Sequence, residues 1–509
     1  MSVSNAVGSA RKSAVVGYLI AKGSFQETSP NLPMKIAVLC EANSANQAAV
    51  VSDPIFIPTS AQQVGQKFGY GSPAYMIARI LFPLAGGGLD GIPVTFYPQA
   101  EAVGATAKVM TIQPVGIATG NATHTITIGG RTNVDSQSYD IPIVTGDTLV
   151  QISAKIANVL AAVIGCPATV TTNTYVSVLT TKWKGATADG MTVSVNTNNQ
   201  AVGLSYNVAT IQNGSGTPTN AVTTSLGLYG TEWNTITINS YGAVSAVMSA
   251  LEAFNGRPDN TNPTGRYQGI VMKPTLAFTG TVLDDPSSIS DARLDDCTIV
   301  LSPAPNSPGF AMEAAANHAF MVAKKAQNSP ELDILNDKYP DMPSPLTLGS
   351  MASYDNRDLF VKKGCSTVDL VSGTYIVKDS VTTYHPIGEI PPQFAYTRDI
   401  LIDWNIRYTY FLLEQENVIG KVLAKDEDSV SSQNIVKPKM WKQKLNNMFS
   451  DLTTRALIVD TAFSISSLSV SLNSTNPNRF DTVFSAKRSG VGRISATTAV
   501  MGFNFGSIN

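Results

Sequence analysis

Apolar residues along the chain fall into short runs of two kinds. Residues 34–42, MKIAVLCEA, are almost continuously apolar, the pattern of a strand buried on both faces. Ile77, Ile80 and Leu81 have helical spacing, Gly86, Gly87 and Gly88 stop that helix, and IPVTFYP (92–98) resumes a strand. THTITIGG (123–130) alternates as a half-buried strand does, and TYVSVLTT (174–181) and MTVSVNT (191–197) predict two more. In GDTLVQISAKIANVLAAVIG (146–165), Leu149, Ile152, Ile156, Val159, Leu160 and Val163 share one helical face, with Gly165 as the stop. Residues 213–220, NGSGTPTN, predict a flexible loop.

Strand–helix alternation then returns. NTITINSY (234–241) predicts a strand, AVSAVMSALEAFNG (243–256) a helix, and GIVMKP (269–274) and CTIVLSP (297–303) further strands. GFAMEAAANHAFMVAKKAQ (309–327) predicts a long helix. Such alternation implies parallel crossovers and a doubly wound sheet. Helices are expected over 398–417, with Leu401, Trp404, Tyr408, Phe411 and Leu412 in register, and over 437–460. FSISSLSVSLN (463–473) alternates, with Phe463, Ile465 and Ser467 on one face. In the closing stretch 492–509, Thr497, Ala499, Met501, Phe503 and Phe505 share a strand face, and Gly502 marks a bulge.

The first thirty residues hold one more apolar run, in RKSAVVGYLIAKG (11–23). Two basic residues before a short apolar stretch resemble the start of a secretory signal. The run is at the short end for that role, however, and no clean small-residue cleavage site follows. Its β-branched and aromatic content favours a strand over Ala14–Ile20.

With 509 residues the chain is expected to hold about three domains. Composition narrows the function. Apolar residues make up 43% but charged residues only 14%, where about a quarter is usual. Much of the polar surface is therefore uncharged, which suits a protein packed against neighbours. A formal net charge of −2 gives no basic face for nucleic acid. No apolar run reaches the roughly 18 residues that span a membrane. Cys40, Cys166, Cys297 and Cys365 are widely separated, with no CxxC pair, as expected of a reduced compartment.

Catalytic patterns are missing. His124, His318 and His385 stand in no nucleophile motif, and neither a G-x-S-x-G elbow nor a phosphate loop occurs. The Gly86–Gly88 run follows a helix, the reverse of the order a phosphate loop needs. The pairs Asp284–Asp285 and Asp295–Asp296 are sequence neighbours rather than partners across a cleft, and DDPSSISDA predicts an N-cap followed by Pro at the first helical position. KDEDS (425–429) lacks the Gly and closing Glu of an EF-hand. KPKMWKQK (437–444) has the charge for a phosphate-binding patch, but a solvated helix face or a contact for an acidic partner is the expected reading. No cofactor and no metal are expected, and the chain is not expected to be an enzyme.

These segments set the expected organisation: an N-terminal arm (1–30), an α/β core with a doubly wound, mixed sheet (31–100 and 233–385), an inserted β-rich domain (101–232), a C-terminal α+β domain (386–490) and a C-terminal strand or arm (491–509). Taken in order, they resemble the contractile tail sheath proteins of Mu-like bacteriophages nearly end to end. AVVGYLIAKGSFQETSPNLPMKIAVLCEA is similar to that family's opening arm and first core strand, and ILFPLAGGGLDGIPVTFYP to its helix, Gly-rich turn and strand. VLTTKWKGATADGMTVSV resembles part of its inserted domain, and WNTITINSYGAVSAVMSALEAFNGRP its return to the core. The most specific stretch is 354–384, where Arg357, Gly364, Gly373 and Val381–Tyr384 match the family's Arg, Gly-containing turn, two strands and Val-Thr-Thr-Tyr ending. NPNRFDTVFSAKRSGVGRISATTAVMGFNF also fits.

The resemblance implies a structural protein of the virion tail, assembled in the bacterial cytoplasm. It implies stacked six-fold rings of this chain around an inner tail tube protein, with baseplate and tail-terminator partners, no nucleic acid and no membrane insertion. Contraction then drives the tube through the host envelope during genome ejection. It implies arms whose strands complete a neighbour's sheet, here Val15, Val16, Tyr18, Leu19 and Ile20 at one end and Ile494, Val500, Met501, Phe503 and Phe505 at the other. It places the C-terminal domain against the tube, with Lys437, Lys439, Lys442 and Lys444 as candidate contacts. The sheath of a phage-derived bacteriocin or contractile injection system is an equivalent reading in sequence. A secreted β-rich hydrolase, cleaved near Ala21, is the alternative of a different class.

Overall fold

Five strands pair side by side in the order Ile299–Pro303, Leu276–Thr281, Ile236–Asn239, Ile36–Glu41, Val94–Gln99. The computed structural model describes residues 30–217, 219–258, 265–267, 272–345, 353–389, 392–430, 432, 434–499 and 501. The N-terminal arm residues Val15, Val16, Tyr18, Leu19 and Ile20 lie outside the described residues, as do Val500, Phe503 and Phe505.

The strand Ile36–Glu41 is buried at every position, as its apolar run demands. Period-two geometry splits its side chains between two cores. Ile36, Val38 and Cys40 join the helices Pro73–Leu81 and Ala311–Asn328. Ala37 and Leu39 join Thr219–Gly227 and Ser245–Asn255 on the opposite face. The sheet is thus doubly wound. It is not mixed, contrary to expectation. All four ladders are parallel, and antiparallel pairing is reduced to a single bridge from Phe56 to Phe96 at one edge.

Four local expectations also change. The strand sought at 269–274 lies instead at Leu276–Thr281. Residues 269–271 are outside the described set, Met272–Pro274 form no strand, and Pro274 has no N–H to give a central ladder. The predicted loop 213–220 runs into a helix, Thr219–Gly227, whose Val222 and Leu226 are buried in the second core. The alternation over 463–467 belongs to a short helix, Thr461–Ser467, and only Ser469–Leu472 is a strand. Asp460, in the left-handed region at φ 60°, starts that helix by accepting the N–H of Phe463. Further upstream, Asp285 accepts the N–H of Ser287 and Pro286 takes the N-cap place, one position earlier than predicted.

Between the strand Val94–Gln99 and the helix Thr219–Gly227, the chain builds two larger antiparallel sheets beside a two-residue ribbon, Asn133–Val134 with Gln137–Ser138. One has three strands, Val193–Asn196, Ala122–Ile128 and Asp140–Ile143, and the other four, Leu204–Gln212, Val109–Gly116, Val176–Thr181 and Ala168–Asn173. The helix Leu149–Ala162 packs on them through Ile152, Ile156 and Leu160, and a Thr148–Gln151 capping box starts it. Polar clasps tie this insertion to the core. Arg131 pairs with the buried Glu313 at 2.8 Å and with Asp341 at 2.6 Å. Asp135 accepts from Arg79 Nε at 2.9 Å and from the Tyr75 hydroxyl.

The helix Ala311–Asn328 lies unusually close to the sheet. A Cβ on Gly280 would stand 1.6 Å from the carbonyl oxygen of Ala311, so glycine here permits the backbone approach. On the same helix His318 is fully buried beside Phe278, ring centroids 5.2 Å apart, with Nε2 2.9 Å from Ser380 Oγ. Burial holds its pKa down, to about 3.

Two predictions follow from that contact. Gly280→Ala should cost at least about 3 kcal/mol in urea unfolding, the upper range of overpacking; a loss under about 1 kcal/mol would contradict the close packing. His318 should destabilise the fold in acid. Its folded pKa lies below the unfolded value of roughly 6.5, so its contribution is whole above that value and is lost as pH falls towards 3. The stability of wild type minus that of His318→Leu should therefore fall by roughly 3 kcal/mol between pH 7 and pH 4, and a constant difference would contradict the buried neutral imidazole.

Candidate functional site

The features left for function are at the C-terminal end. Two helices, Thr397–Asn417 and Pro438–Thr454, pack through Ile402, Trp441, Leu445, Met448 and Phe449 into a third core. Pro at the first turn starts the second helix without disturbing an intrahelical bond. Tyr408, packed against the first core, and Phe411 line a cleft with Leu32, Pro33, Trp233 and Met272.

Against the third core lie two two-stranded antiparallel sheets. Ser469–Leu472 pairs with Phe480–Val483, and Ile458–Val459 pairs with Lys487–Arg488. Each has an outer edge that no described strand pairs. Val459 and Val483 are exposed beside those edges.

From there the chain is clamped in steps. Arg488 forks onto Asp403, with Nε 2.6 Å from Oδ1, and donates to the Gln393 carbonyl at 2.7 Å. Burial raises the Asp403 pKa, and Arg488 opposes that rise. Ser489 receives two bonds from Arg398. Arg493 pairs with Asp333 and lies over the Tyr396 ring, 3.8 Å from its centroid. Beyond Arg493 the hold ends. Ile494 is 89% exposed and Met501 90% exposed, and residues 491–499 form no strand within this chain. Sequence reasoning placed an apolar terminal segment here but missed the arginine clamps, whose partners are far away in sequence.

The four lysines separate. Lys437 turns back to the carbonyls of Asp426 and Asp428, at 3.4 and 2.6 Å. Lys439, Lys442 and Lys444 are exposed on the helix Pro438–Thr454, beside exposed Met440.

The residues screened for chemistry are held by structure. His124 Nδ1 lies 2.6 Å from the Tyr206 hydroxyl and Nε2 2.8 Å from the Gln200 carbonyl. His385 Nδ1 lies 2.6 Å from the Thr383 carbonyl. The four cysteines are buried free thiols. Among the described residues no three His, Cys, Asp or Glu side chains are grouped to hold a metal ion, and no helix is long and apolar enough to cross a membrane. In the stretch 354–384, Arg357 pairs with Asp369 at 3.2 Å and Gly373, at φ 75°, turns the hairpin between Thr367–Val371 and Thr374–Asp379. Thr383 then joins its N–H to the Ile299 carbonyl at the sheet edge, at 2.9 Å.

No family model matches the chain, and no curated protein matches it. Among solved structures, the chain is similar to the sheath tail protein DSY3957 of Desulfitobacterium hafniense, at 12% identity over 93% of this chain and 100% of that one, with a TM-score of 0.43. It is similar to the sheath tail protein Lin1278 of Listeria innocua, at 12% identity over 91% and 94% of the two chains, TM-score 0.44. It is also similar to the helical sheath of the anti-feeding prophage in its contracted state, at 10% identity over 97% and 100%, TM-score 0.42.

Proposed function

We propose that this chain is a structural subunit of a contractile tail sheath. It polymerises as stacked hexameric rings around an inner tail tube and contracts to drive that tube through the host envelope. The observation that carries self-association is the C-terminal segment: clamped to its own body as far as Arg493, then projecting Ile494 and Met501 into solvent. Apolar side chains on an extended terminal segment favour burial against another surface. The unpaired edges near Ile458–Val459 and Ser469–Leu472 offer the complementary surface. Contraction and the tube come from the resemblance of the ordered sequence segments to tail sheath proteins.

In this reading strand addition is the joint between subunits. Its bonds run between backbones, so they survive while the globular bodies slide and repack. A head-to-tail contact that does not close produces a helical array, and contraction is a switch between two packings of one subunit. A surface with few charges repacks without leaving buried charges unpaired. The insertion faces outward. The region 386–490 lines the tube, with Lys439, Lys442 and Lys444 towards an acidic tube surface. The sheath works in the virion tail, with baseplate and terminator proteins at its ends.

Deleting residues 1–25 tests the arm role. The truncated chain should keep the thermal melt of the full chain but lose the large particles that the full chain forms in sedimentation velocity. Particles of normal size from the deletion would overturn it.

A further inference from the structure

The strand order places a topological switch point between Ile36–Glu41 and Ile236–Asn239. From the first strand the chain goes one way to Val94–Gln99, then returns to the other side at Ile236–Asn239. In open parallel sheets the crevice outside the carboxyl ends at such a point is where ligands bind. Here the insertion leaves from the carboxyl end of Val94–Gln99 and fills that place itself.

Glu41 closes the strand at this point and is fully buried. Its Oε2 accepts from the Thr187 hydroxyl, which itself accepts from Trp183 Nε1 at 2.9 Å. Its Oε1 has no hydrogen-bond partner among the described residues. Gly185 passes so close that a Cβ there would stand 2.9 Å from Oε1. Nearby, Ser44 donates its N–H to the Lys182 carbonyl at 2.8 Å, and Lys184 donates its N–H to Glu101 Oε1 at 3.1 Å. The titratable groups that face Glu41 are Cys40 on its own strand, Glu101 beyond Val94–Gln99, and Tyr241 beyond Ile236–Asn239. None of them is a cation, and the Tyr241 hydroxyl is also without a partner.

We infer that Glu41 is a proton-controlled latch between the parallel sheet and the insertion. As a neutral carboxyl it sits in this buried contact and holds Thr187. When it ionises, the proton passes to solvent and a carboxylate is left with one hydroxyl donor and a second acid nearby, so the segment 182–190 lets go to hydrate it. Burial pushes the Glu41 pKa up to about 8, with Glu101 adding to the rise and Thr187 opposing it. A hydrated glutamate ionises near pH 4.3, so the opening equilibrium should grow about tenfold per pH unit from roughly pH 5 to pH 8, then level off.

Hydrogen exchange of the amides in 182–190 in the full chain, divided by the rates of unstructured peptides at the same pH, reads this directly. Wild type should lose protection about tenfold per unit up to pH 8 and then plateau. Glu41→Gln, which keeps an acceptor for Thr187 and cannot ionise, should show protection independent of pH. A wild-type profile that follows the peptide rates alone overturns the latch without need of the variant, and a Glu41→Gln profile that rises with the wild type overturns it equally.

Discussion

A parallel sheet must be covered on both faces, because its crossovers run over them and its strands keep no solvent side. The strand Ile36–Glu41 meets that requirement at six consecutive positions, sending alternate side chains into two cores. The placement of other elements follows from it. Helices seal both faces, and the Gly280 approach brings Ala311–Asn328 down onto the ladder. The sheet's carboxyl edge is left as the outlet for a long insertion. That insertion is clasped at Arg131, Asp135 and Thr187.

This arrangement separates rigid from adaptable parts. The core and insertion share one apolar cluster and are joined besides by polar contacts that need specific partners. The described C-terminal segment is different. Among the described residues after Arg493, 494–499 make no strand within their own subunit, and Ile494 and Met501 are uncovered. Bonds that such a segment makes to another sheet edge would depend on backbone rather than on particular side chains. In the proposed sheath, a body held by such contacts and joined through an adaptable segment would suit repacking of identical subunits.

Much of the core was legible in the sequence, because continuous apolar runs such as IAVLCE and VTFYPQ have few other uses. The helix Leu149–Ala162 was legible from its apolar stripe and stop signal. What was missed had weak apolar signals. LAFTGT carries Thr and Gly inside a central strand, where its Gly serves a helix contact that sequence does not display. The helix Thr219–Gly227 is built of Thr, Asn and Ser around few apolar residues. The alternation in 463–467 was real but too short to outweigh an Asp460 cap. At the candidate site, the lysine-rich start of Pro438–Thr454 and the apolar terminal segment are visible in the sequence. The clamps of Arg488 and Arg493, and the Glu41–Thr187 contact across 146 residues, arise only from tertiary placement.

The central claim is that this chain polymerises through its ends into a sheath. Electron microscopy of the full-length protein at high concentration tests it most directly. The account predicts hollow helical tubes with six subunits per ring, in which density for one subunit's terminal segments lies on the open strand edges of a neighbour's 458–488 region. A monodisperse monomer under the same conditions, or tubes whose terminal segments fold back on their own subunit, would contradict it.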